Sequence, residues 1–222
     1  TLSIPARTKV AVVGPSGAGK TTFLRLCQGF LRPNTGSMEI DGQNFRYLSL
    51  DNYRSQNTLI DGKPVFFGAT IEENLRKVQP GISQREFDEV LEISGLQKVL
   101  DQLPEGISTE INQFGMPLSQ GDRVTLALAR GLMAMPRILL IDEALANLDK
   151  STQISFFENF SKICDLKTVI MATHDLRSTA QFEQIIVLEK GVVVGQGAHD
   201  ELLKTCALYQ ELWAMEQKLT GT

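Results

Sequence analysis

The chain has 222 residues, 42% of them hydrophobic, and a formal net charge of −4. This length and apolar content can build one domain with a substantial core, which excludes intrinsic disorder and a disulfide-dependent miniprotein. The acidic balance argues against nucleic-acid binding through a basic surface, and no apolar run approaches the roughly 18 residues of a membrane span. The three cysteines, Cys27, Cys164 and Cys206, lack C-x-x-C spacing. They are expected to be reduced core thiols.

The first elements of the chain predict a strand, a loop and a helix. Residues 9–13 form a short β-branched run, and the apolar periodicity of residues 21–26 is typical of a helix start. Residues 37–42 alternate in polarity and end in Asp-Gly, which favours a hairpin. Late in the chain, residues 184–188 and 192–194 flank a Glu-Lys-Gly turn. We expect both strand pairs to lie at the edges of a core.

The middle third of the chain has a different pattern. Apolar residues recur every three to four positions in residues 71–78, 84–94 and 122–135, and prolines separate these segments. This pattern predicts an inserted group of helices. Residues 138–141 and 168–172 then form continuous apolar runs of strand length, as expected for parallel strands covered on both faces.

The predicted fold class is therefore α/β, with a mainly parallel sheet flanked by helices, an antiparallel β edge and an inserted α-helical subdomain. We expect a single domain over residues 1–222. Residues 1–67 and 132–222 would form its α/β core, and residues 68–131 its helical subdomain.

A glycine-rich loop lies between the first strand and the first helix. It runs from residue 14 to residue 21 and matches the phosphate-binding pattern G-x-x-x-x-G-K-[ST]. Backbone N–H groups of such a loop converge on phosphate, Lys20 can reach the β- and γ-phosphates, and the Thr21 hydroxyl can bind Mg²⁺. A solvated turn is the alternative, but the flanking strand and helix favour the P-loop of an NTPase. The predicted nucleotide-binding residues are Gly14, Pro15, Ser16, Gly17, Ala18, Gly19, Lys20, Thr21 and Thr22.

Two adjacent carboxylates follow the apolar run of residues 138–141. Charge at the end of a buried strand is costly unless it is used. We therefore predict that Asp142 binds Mg²⁺, and that Glu143 orients or deprotonates the water that attacks the γ-phosphate. A solvated Asp-Glu turn is the alternative, and the phosphate loop in the same chain favours the catalytic interpretation.

The chain has only two histidines, which excludes a histidine-rich metal site. His174 follows the apolar run of residues 168–172, and ligands bind beyond the carboxyl ends of such strands. We predict that His174 hydrogen-bonds to the γ-phosphate. His199 precedes the last helical segment and is expected to order a turn.

Residues 118–122, Leu-Ser-Gln-Gly-Asp, resemble the L-S-G-G-Q signature of the nucleotide-binding domains of ABC transporters. Residues 146–149 are similar to the family's D-loop, with Asp149 as its aspartate, and His174 is similar to its switch histidine. The resemblance covers nearly the whole chain. Residues 64–75 and 109–115 are similar to the exporter segments around the Q-loop and X-loop.

The resemblance implies binding and hydrolysis of ATP with Mg²⁺, with Lys20, Glu143 and His174 as the catalytic residues and Thr21 and Asp142 as the metal ligands. It implies that Ser119, Gln120 and Gly121 act on the ATP of a second ABC ATPase domain, identical or different, bound head to tail. The resemblance also implies a transmembrane domain, fused N-terminally, as a partner. It implies no nucleic-acid partner. The expected activity is substrate export, with this domain at the cytoplasmic face of a membrane such as the bacterial inner membrane.

The chain departs from the family pattern at four positions. Gly62 stands where the Q-loop glutamine is expected, and Gln113 replaces the X-loop glutamate. In the signature, Gln120 replaces a glycine and Asp122 replaces the glutamine. An added negative charge near the γ-phosphate is expected to oppose closure.

Three alternatives stay open at this stage. The altered motifs favour a degenerate ABC subunit that acts mainly as an ATP-dependent clamp with low hydrolysis. The second alternative is a soluble ABC protein outside transport, and the third is a small-molecule kinase. One cassette without a coiled-coil insert or an arginine-rich lid argues against both soluble classes.

Overall fold

The computed structural model describes residues 1–148, 150, 153–154, 156–158 and 167–220. The chain divides into two units. The first, here called the core unit, comprises Thr1–Leu59, Arg137–Asp142 and Lys167–Thr222. The second, here called the helical unit, comprises Ile60–Pro136 and Glu143–Leu166.

Ten strands are described: β1 (Lys9–Val13), β2 (Glu39–Ile40), β3 (Gln43–Asn44), β4 (Asn57–Asp61), β5 (Ala69–Thr70), β6 (Glu110–Ile111), β7 (Ile138–Asp142), β8 (Thr168–Ala172), β9 (Gln184–Glu189) and β10 (Val192–Gly197). The described α-helices are α1 (Lys20–Cys27), α2 (Leu50–Ser55), α3 (Ile71–Arg76), α4 (Gln84–Ser94), α5 (Leu96–Leu100), α6 (Gln120–Met133), α7 (His199–Thr205) and α8 (Ala207–Thr220). Short 3-10 helices cover Phe45–Tyr47, Gly106–Ser108, Ala144–Asn147 and Leu176–Gln181.

The central sheet has the strand order β10-β9-β1-β8-β7-β4 in the described part of the chain. Strands β9, β1, β8 and β7 run parallel, and β10 pairs antiparallel with β9. This arrangement confirms the predicted α/β class with its mainly parallel sheet and antiparallel edge. The late strand pair differs from expectation in one respect: β9 lies inside the sheet, because its other side pairs with β1, and only β10 forms the edge.

The apolar runs of β1, β7 and β8 are buried almost completely, which explains why they lack the alternation of a half-exposed strand. Burying a Val, Leu or Ile side chain contributes about 1.5–3 kcal/mol. The core of the core unit is built from Val10, Val12, Ala18, Leu24, Leu140, Ile170, Ala172, Ile186 and Leu188.

The helical unit is organised around α6, against which α3, α4 and α5 pack. Its buried apolar side chains include Ile71, Leu75, Phe87, Leu96, Val124, Leu126, Leu128 and Met133. Helices α3 and α4 begin at capping boxes formed by Thr70 with Glu73 and by Ser83 with Glu86. These boxes satisfy backbone N–H groups that the first turn of a helix leaves without partners.

Two element boundaries differ from the sequence-based expectation. The segment expected to be helical over residues 122–135 begins at Gln120 and ends at Met133. The last helical segment, expected after His199, is split into α7 and α8 at Cys206, whose backbone is extended and whose side chain is buried. Within the described residues, we find no helix that is both long and apolar enough to cross a membrane.

The thiols of Cys27 and Cys206 are free, whereas Cys164 lies outside the described residues. Burial raises the pKa of the Cys27 thiol to about 12, so this group stays protonated at neutral pH. A protonated buried thiol is a poor nucleophile.

Candidate functional site

The phosphate loop joins the end of β1 to the start of α1 within the core unit. Gly14 has a φ of 151°, and a Cβ at this position would lie 2.2 Å from the Leu188 carbonyl oxygen, so no larger residue fits. Gly19 caps α1 with a φ of 104°, in the left-handed region that favours glycine. The Ala18 N–H donates to the Pro15 carbonyl at 3.1 Å. These glycines therefore hold the tight backbone turn that the motif predicts.

The N-terminus of α1 differs from those of α3, α4 and α6. Each of those three helices starts with a hydroxyl side chain and a carboxylate that satisfy its first N–H groups. Among the described residues, no side chain caps α1, and its first turn contains no acidic residue. A helix start of this kind is suited to binding an anion through its first N–H groups and the positive end of its dipole.

Lys20 is buried, with 4% of its surface exposed. Its ammonium group donates to the carbonyl oxygens of Gly14 at 3.0 Å and Pro15 at 3.3 Å. The Nε2 atom of His174 lies 3.3 Å from the same ammonium nitrogen. Because an ammonium group can only donate, this Nε2 accepts, and the imidazole carries its proton on Nδ1. The structure thus brings together two predicted catalytic residues, Lys20 and His174.

Asp142 is the last residue of β7 and lies opposite Ala172 of β8. Strand β8 pairs in turn with β1, and all three strands are parallel. Their carboxyl ends therefore lie at one edge of the sheet. Asp142 ends β7 at this edge, His174 comes shortly after β8, and the phosphate loop comes directly after β1. The predicted metal ligands, the Thr21 hydroxyl and the Asp142 carboxylate, are the hard oxygen donors that Mg²⁺ prefers. Because Mg²⁺ typically takes few protein ligands besides phosphate oxygens, this donor set fits the ion.

Glu143 directly follows Asp142 in the chain and caps the 3-10 helix Ala144–Asn147. Its backbone is left-handed, with φ 52° and ψ 12°. This conformation costs a non-glycine residue of the order of 1–2 kcal/mol, and such strain concentrates at functional sites. The sequence predicted the role of Glu143 but gave no signal of its strained backbone.

The signature residues Ser119, Gln120 and Gly121 lie at the start of α6 in the helical unit. Ser119 caps this helix, and its hydroxyl lies 2.6 Å from the Asp122 carboxylate. The same carboxylate accepts the Ser119 backbone N–H at 3.3 Å, while Asp122 N–H donates to the Ser119 hydroxyl at 3.2 Å. The aspartate that departs from the family pattern therefore engages the signature serine itself. The D-loop residue Asp149 lies outside the described residues.

Two arginines of α6, whose roles the sequence did not indicate, donate hydrogen bonds to backbone carbonyls of the helical unit. Arg123 donates to the carbonyls of Leu118 at 3.0 Å and Phe114 at 3.2 Å. Arg130 donates to the Val65 carbonyl at 2.8 Å. The Arg123 contacts lie within nine positions in the sequence. The Arg130 contact joins residues 65 positions apart, so no local motif could have revealed it.

A family model described as ABC transporter matches residues 1–146. The chain belongs to the ABC transporter family. It is 33% identical over 97% of its length to ATP-binding cassette sub-family B member 6 of Mesocricetus auratus. It is 34% identical over 96% of its length to the ATM1-type heavy metal exporter of Novosphingobium aromaticivorans. It is 37% identical over 98% of its length to the mitochondrial iron-sulfur clusters transporter ATM1 of Candida albicans.

The chain spans only 25%, 35% and 30% of these three relatives, respectively. A solved structure of a bacterial Atm1-family ABC exporter with ATP bound superimposes with a TM-score of 0.89 at 34% sequence identity. The match covers 95% of this chain and 37% of that one. Family membership, the exporter resemblance and the P-loop NTPase fold are thereby confirmed. Domains of this ABC transporter family bind ATP and are ATPases, and exporter-type domains work as dimers with transmembrane domains.

Proposed function

We propose that this chain binds and hydrolyses ATP with Mg²⁺ and thereby drives export of a substrate across a membrane. The observation that carries the proposal is the phosphate loop, in which the buried Lys20 and the uncapped start of α1 converge at the sheet edge that also bears Asp142. Membership of the ABC transporter family supports the coupling to transport. The relatives of this chain include a bacterial heavy metal exporter and a fungal iron-sulfur clusters transporter.

In the ground state, the loop residues 14–22 would bind the triphosphate through their backbone N–H groups, and Lys20 would neutralise the β- and γ-phosphates. The carbonyl contacts of Lys20 already hold its ammonium group in the loop, which reduces the ordering cost on binding. The Thr21 hydroxyl and the Asp142 carboxylate would hold Mg²⁺. When bound, this ion neutralises charge that develops on the phosphate oxygens.

In the hydrolytic step, Glu143 would orient the attacking water and accept its proton. The γ-phosphate would replace the Lys20 ammonium as the partner of Nε2, and His174 would then carry its proton on Nε2 and donate it to the γ-phosphate, which stabilises the charge there. Its placement beside Lys20 supports this role, since both side chains would then face the same phosphate.

Dimerisation completes the proposed site. Ser119, Gln120 and Gly121 would act on ATP bound by a second ABC ATPase domain, identical or different, arranged head to tail, and Asp149 would contribute through the D-loop. The partner in the membrane would be a transmembrane domain fused N-terminally. The chain would then sit at the cytoplasmic face of a membrane, for which we propose the bacterial inner membrane, and the bacterial exporter of known structure supports this setting.

The alternatives are a degenerate subunit that serves mainly as an ATP-dependent clamp and a soluble ABC protein outside transport. Exporters among the relatives favour the transport function over both. The altered signature, in which Asp122 contacts Ser119, is the feature of this chain that favours the degenerate subunit. The contact is a capping box at an exposed helix start, so it does not by itself exclude hydrolysis.

Glu143→Gln tests the central assignment. The variant keeps the size of the side chain and removes the base, so ATP binding should persist while steady-state ATP hydrolysis falls by about two to four orders of magnitude. ATP binding and phosphate release would be measured on the intact protein. The matched control is Glu105→Gln at an exposed glutamate, which should hydrolyse ATP at the parent rate. Undiminished phosphate release by Glu143→Gln would refute the role of Glu143.

A further inference from the structure

A chain of hydrogen bonds links the C-terminal helices to the segment that follows His174. Thr179, in the 3-10 helix Leu176–Gln181, donates its hydroxyl proton to the Leu176 carbonyl at 2.5 Å. Its oxygen lies 2.9 Å from the Tyr209 hydroxyl of α8, and that hydroxyl lies 2.7 Å from His199 Nδ1 at the start of α7. All of these residues belong to the core unit.

Counting protons assigns a direction to this chain. The Thr179 hydroxyl has one proton, which is used on the Leu176 carbonyl, so Thr179 must accept from Tyr209. Tyr209 has then used its own proton, so its oxygen accepts from the N–H of His199 Nδ1. Burial raises the pKa of the Tyr209 hydroxyl above its usual 10, which keeps the donor protonated. The hydrogen bonds therefore run from His199 through Tyr209 and Thr179 to the Leu176 carbonyl, two residues after His174.

Burial strengthens this connection between α8 and the 3-10 helix. Tyr209 and Thr179 are both fully buried. A buried hydroxyl that loses its partner pays the full desolvation penalty, so the two side chains are held to one another. The His199 ring also packs edge-on against Trp213 of α8, with ring centroids 4.7 Å apart, which fixes the imidazole at the other end.

A second contact joins the same two elements at the surface. Arg177 of the 3-10 helix lies 3.4 Å from Glu216 of α8 and 3.3 Å from Asp175. The side chain of Arg177 is 53% exposed, and exposed ion pairs contribute little. This contact therefore supports the arrangement, whereas the buried hydroxyl pair dominates it.

The 3-10 helix is in turn coupled to His174 by short backbone connections. Asp175, the next residue, caps the 3-10 helix by accepting the Arg177 N–H at 3.1 Å. The Asp175 N–H donates to the Thr173 hydroxyl at 3.0 Å, and Thr173 N–H donates to the Val12 carbonyl of β1 at 3.1 Å. His174 thus lies between an anchor on the sheet and an anchor on the 3-10 helix.

We propose that Tyr209 and Thr179 are positioning residues through which the C-terminal helices hold His174 against Lys20. The inference rests on the proposed catalytic role of His174 and adds residues far from the phosphate loop. Displacing a catalytic group by about 1 Å can reduce turnover by up to about a hundredfold without loss of binding. Removing this hydroxyl pair should accordingly lower kcat and leave nucleotide affinity unchanged.

Tyr209→Phe and Thr179→Val remove single hydroxyls and keep side-chain size. In the intact protein, each should lower kcat for ATP hydrolysis about three- to tenfold, with the Kd for ATP within about twofold of the parent. Backbone amides of residues 174–181 should exchange hydrogen faster in both variants. Thr179→Ser, which keeps the hydroxyl, should restore kcat. Tyr47→Phe, at a tyrosine that is 88% exposed, is the matched control and should behave as the parent.

The outcomes separate this inference from the proposed function. A parent-like kcat in Tyr209→Phe, with His174→Ala inactive, overturns the positioning role alone. Parent-like hydrolysis in His174→Ala overturns the catalytic role of His174 and the inference with it. A parallel loss of kcat and ATP affinity would indicate a merely structural contact and also overturn the inference. If one buried variant does not fold, the other carries the test, because Tyr209→Phe and Thr179→Val each remove the same hydrogen bond between Tyr209 and Thr179.

Discussion

At the scale of single residues, the site depends on where charges are placed. Lys20 is an almost fully buried cation, a state that is costly unless hydrogen bonds offset the lost hydration. Two loop carbonyls and the His174 imidazole provide those contacts. Asp122 shows the opposite case, because its carboxylate occupies the signature serine that the proposed function assigns to a phosphate.

Asp122→Gln should ease the approach of a triphosphate to the signature. Glutamine keeps the capping geometry of α6 and removes the negative charge, so the ATP concentration for half-maximal hydrolysis should fall about two- to fivefold. The measurement is ATPase activity against ATP concentration on the intact protein. Asp88→Asn, at an exposed aspartate of the same unit, should leave that concentration unchanged. A value equal to the parent's in Asp122→Gln would show that the carboxylate does not oppose the nucleotide.

At the scale of elements, helix caps distinguish α3, α4 and α6 from α1, the helix for which we propose phosphate binding. Helices α3, α4 and α6 satisfy their first N–H groups with their own side chains, whereas α1 presents its N-terminus beside the glycine-rich loop. Hydrogen bonds from the side chain and backbone of Ser83 lower the pKa of the Glu86 carboxyl. The Thr70 backbone and side chain do the same for Glu73.

The capping glutamates make stability depend on acid pH. Because folding lowers the pKa of Glu86 below 4.5, its contribution is present above that pH and is lost as pH falls through the folded pKa. Glu86→Gln keeps the capping hydrogen bonds and cannot titrate, so its denaturant midpoint should fall less than the parent's between about pH 6 and about pH 3. Glu89→Gln on the same helix, at an exposed position, should follow the parent. Identical pH profiles for Glu86→Gln and the parent would contradict the assignment.

At the scale of the whole molecule, each unit has a hydrophobic core of its own. The core unit packs around its parallel sheet, and the helical unit packs around α6. The phosphate loop, Asp142 and His174 belong to the first unit, whereas Glu143 and the signature belong to the second. A ligand of the phosphate loop should therefore stabilise the core unit directly.

ATP with Mg²⁺ should raise the thermal unfolding midpoint of this protein. At a ligand concentration about one hundred times Kd, binding to the native state contributes about 2.7 kcal/mol. Lys20→Ala should abolish the shift, because it removes the phosphate-neutralising cation, while Lys204→Ala at an exposed lysine of α7 should retain it. The midpoint is measured by differential scanning calorimetry with and without nucleotide. A shift of parent size in Lys20→Ala would argue against binding at the phosphate loop.

Much of this architecture could be predicted because it is encoded locally. The strand-loop-helix around the glycine-rich loop, the buried strands β7 and β8 and the helices α3 and α4 all follow from patterns within a few residues. The errors fell where the chain breaks a pattern. The last helical segment is expected to be continuous after His199, yet Cys206 is extended and separates α7 from α8. Periodicity does not report such a break, since the apolar spacing continues across it.

The sequence by itself determined the family, the fold class and the order of strand, loop and helix around the glycine-rich loop, because the backbone conformation there is set by neighbours in the chain. Only the tertiary structure decided which distant groups meet. Lys20 contacts His174, which lies 154 positions away. Arg130 donates to the Val65 carbonyl, and hydrogen bonds link His199 through Tyr209 to Thr179. Such contacts depend on strand order and packing, which the pattern of a single sequence does not contain.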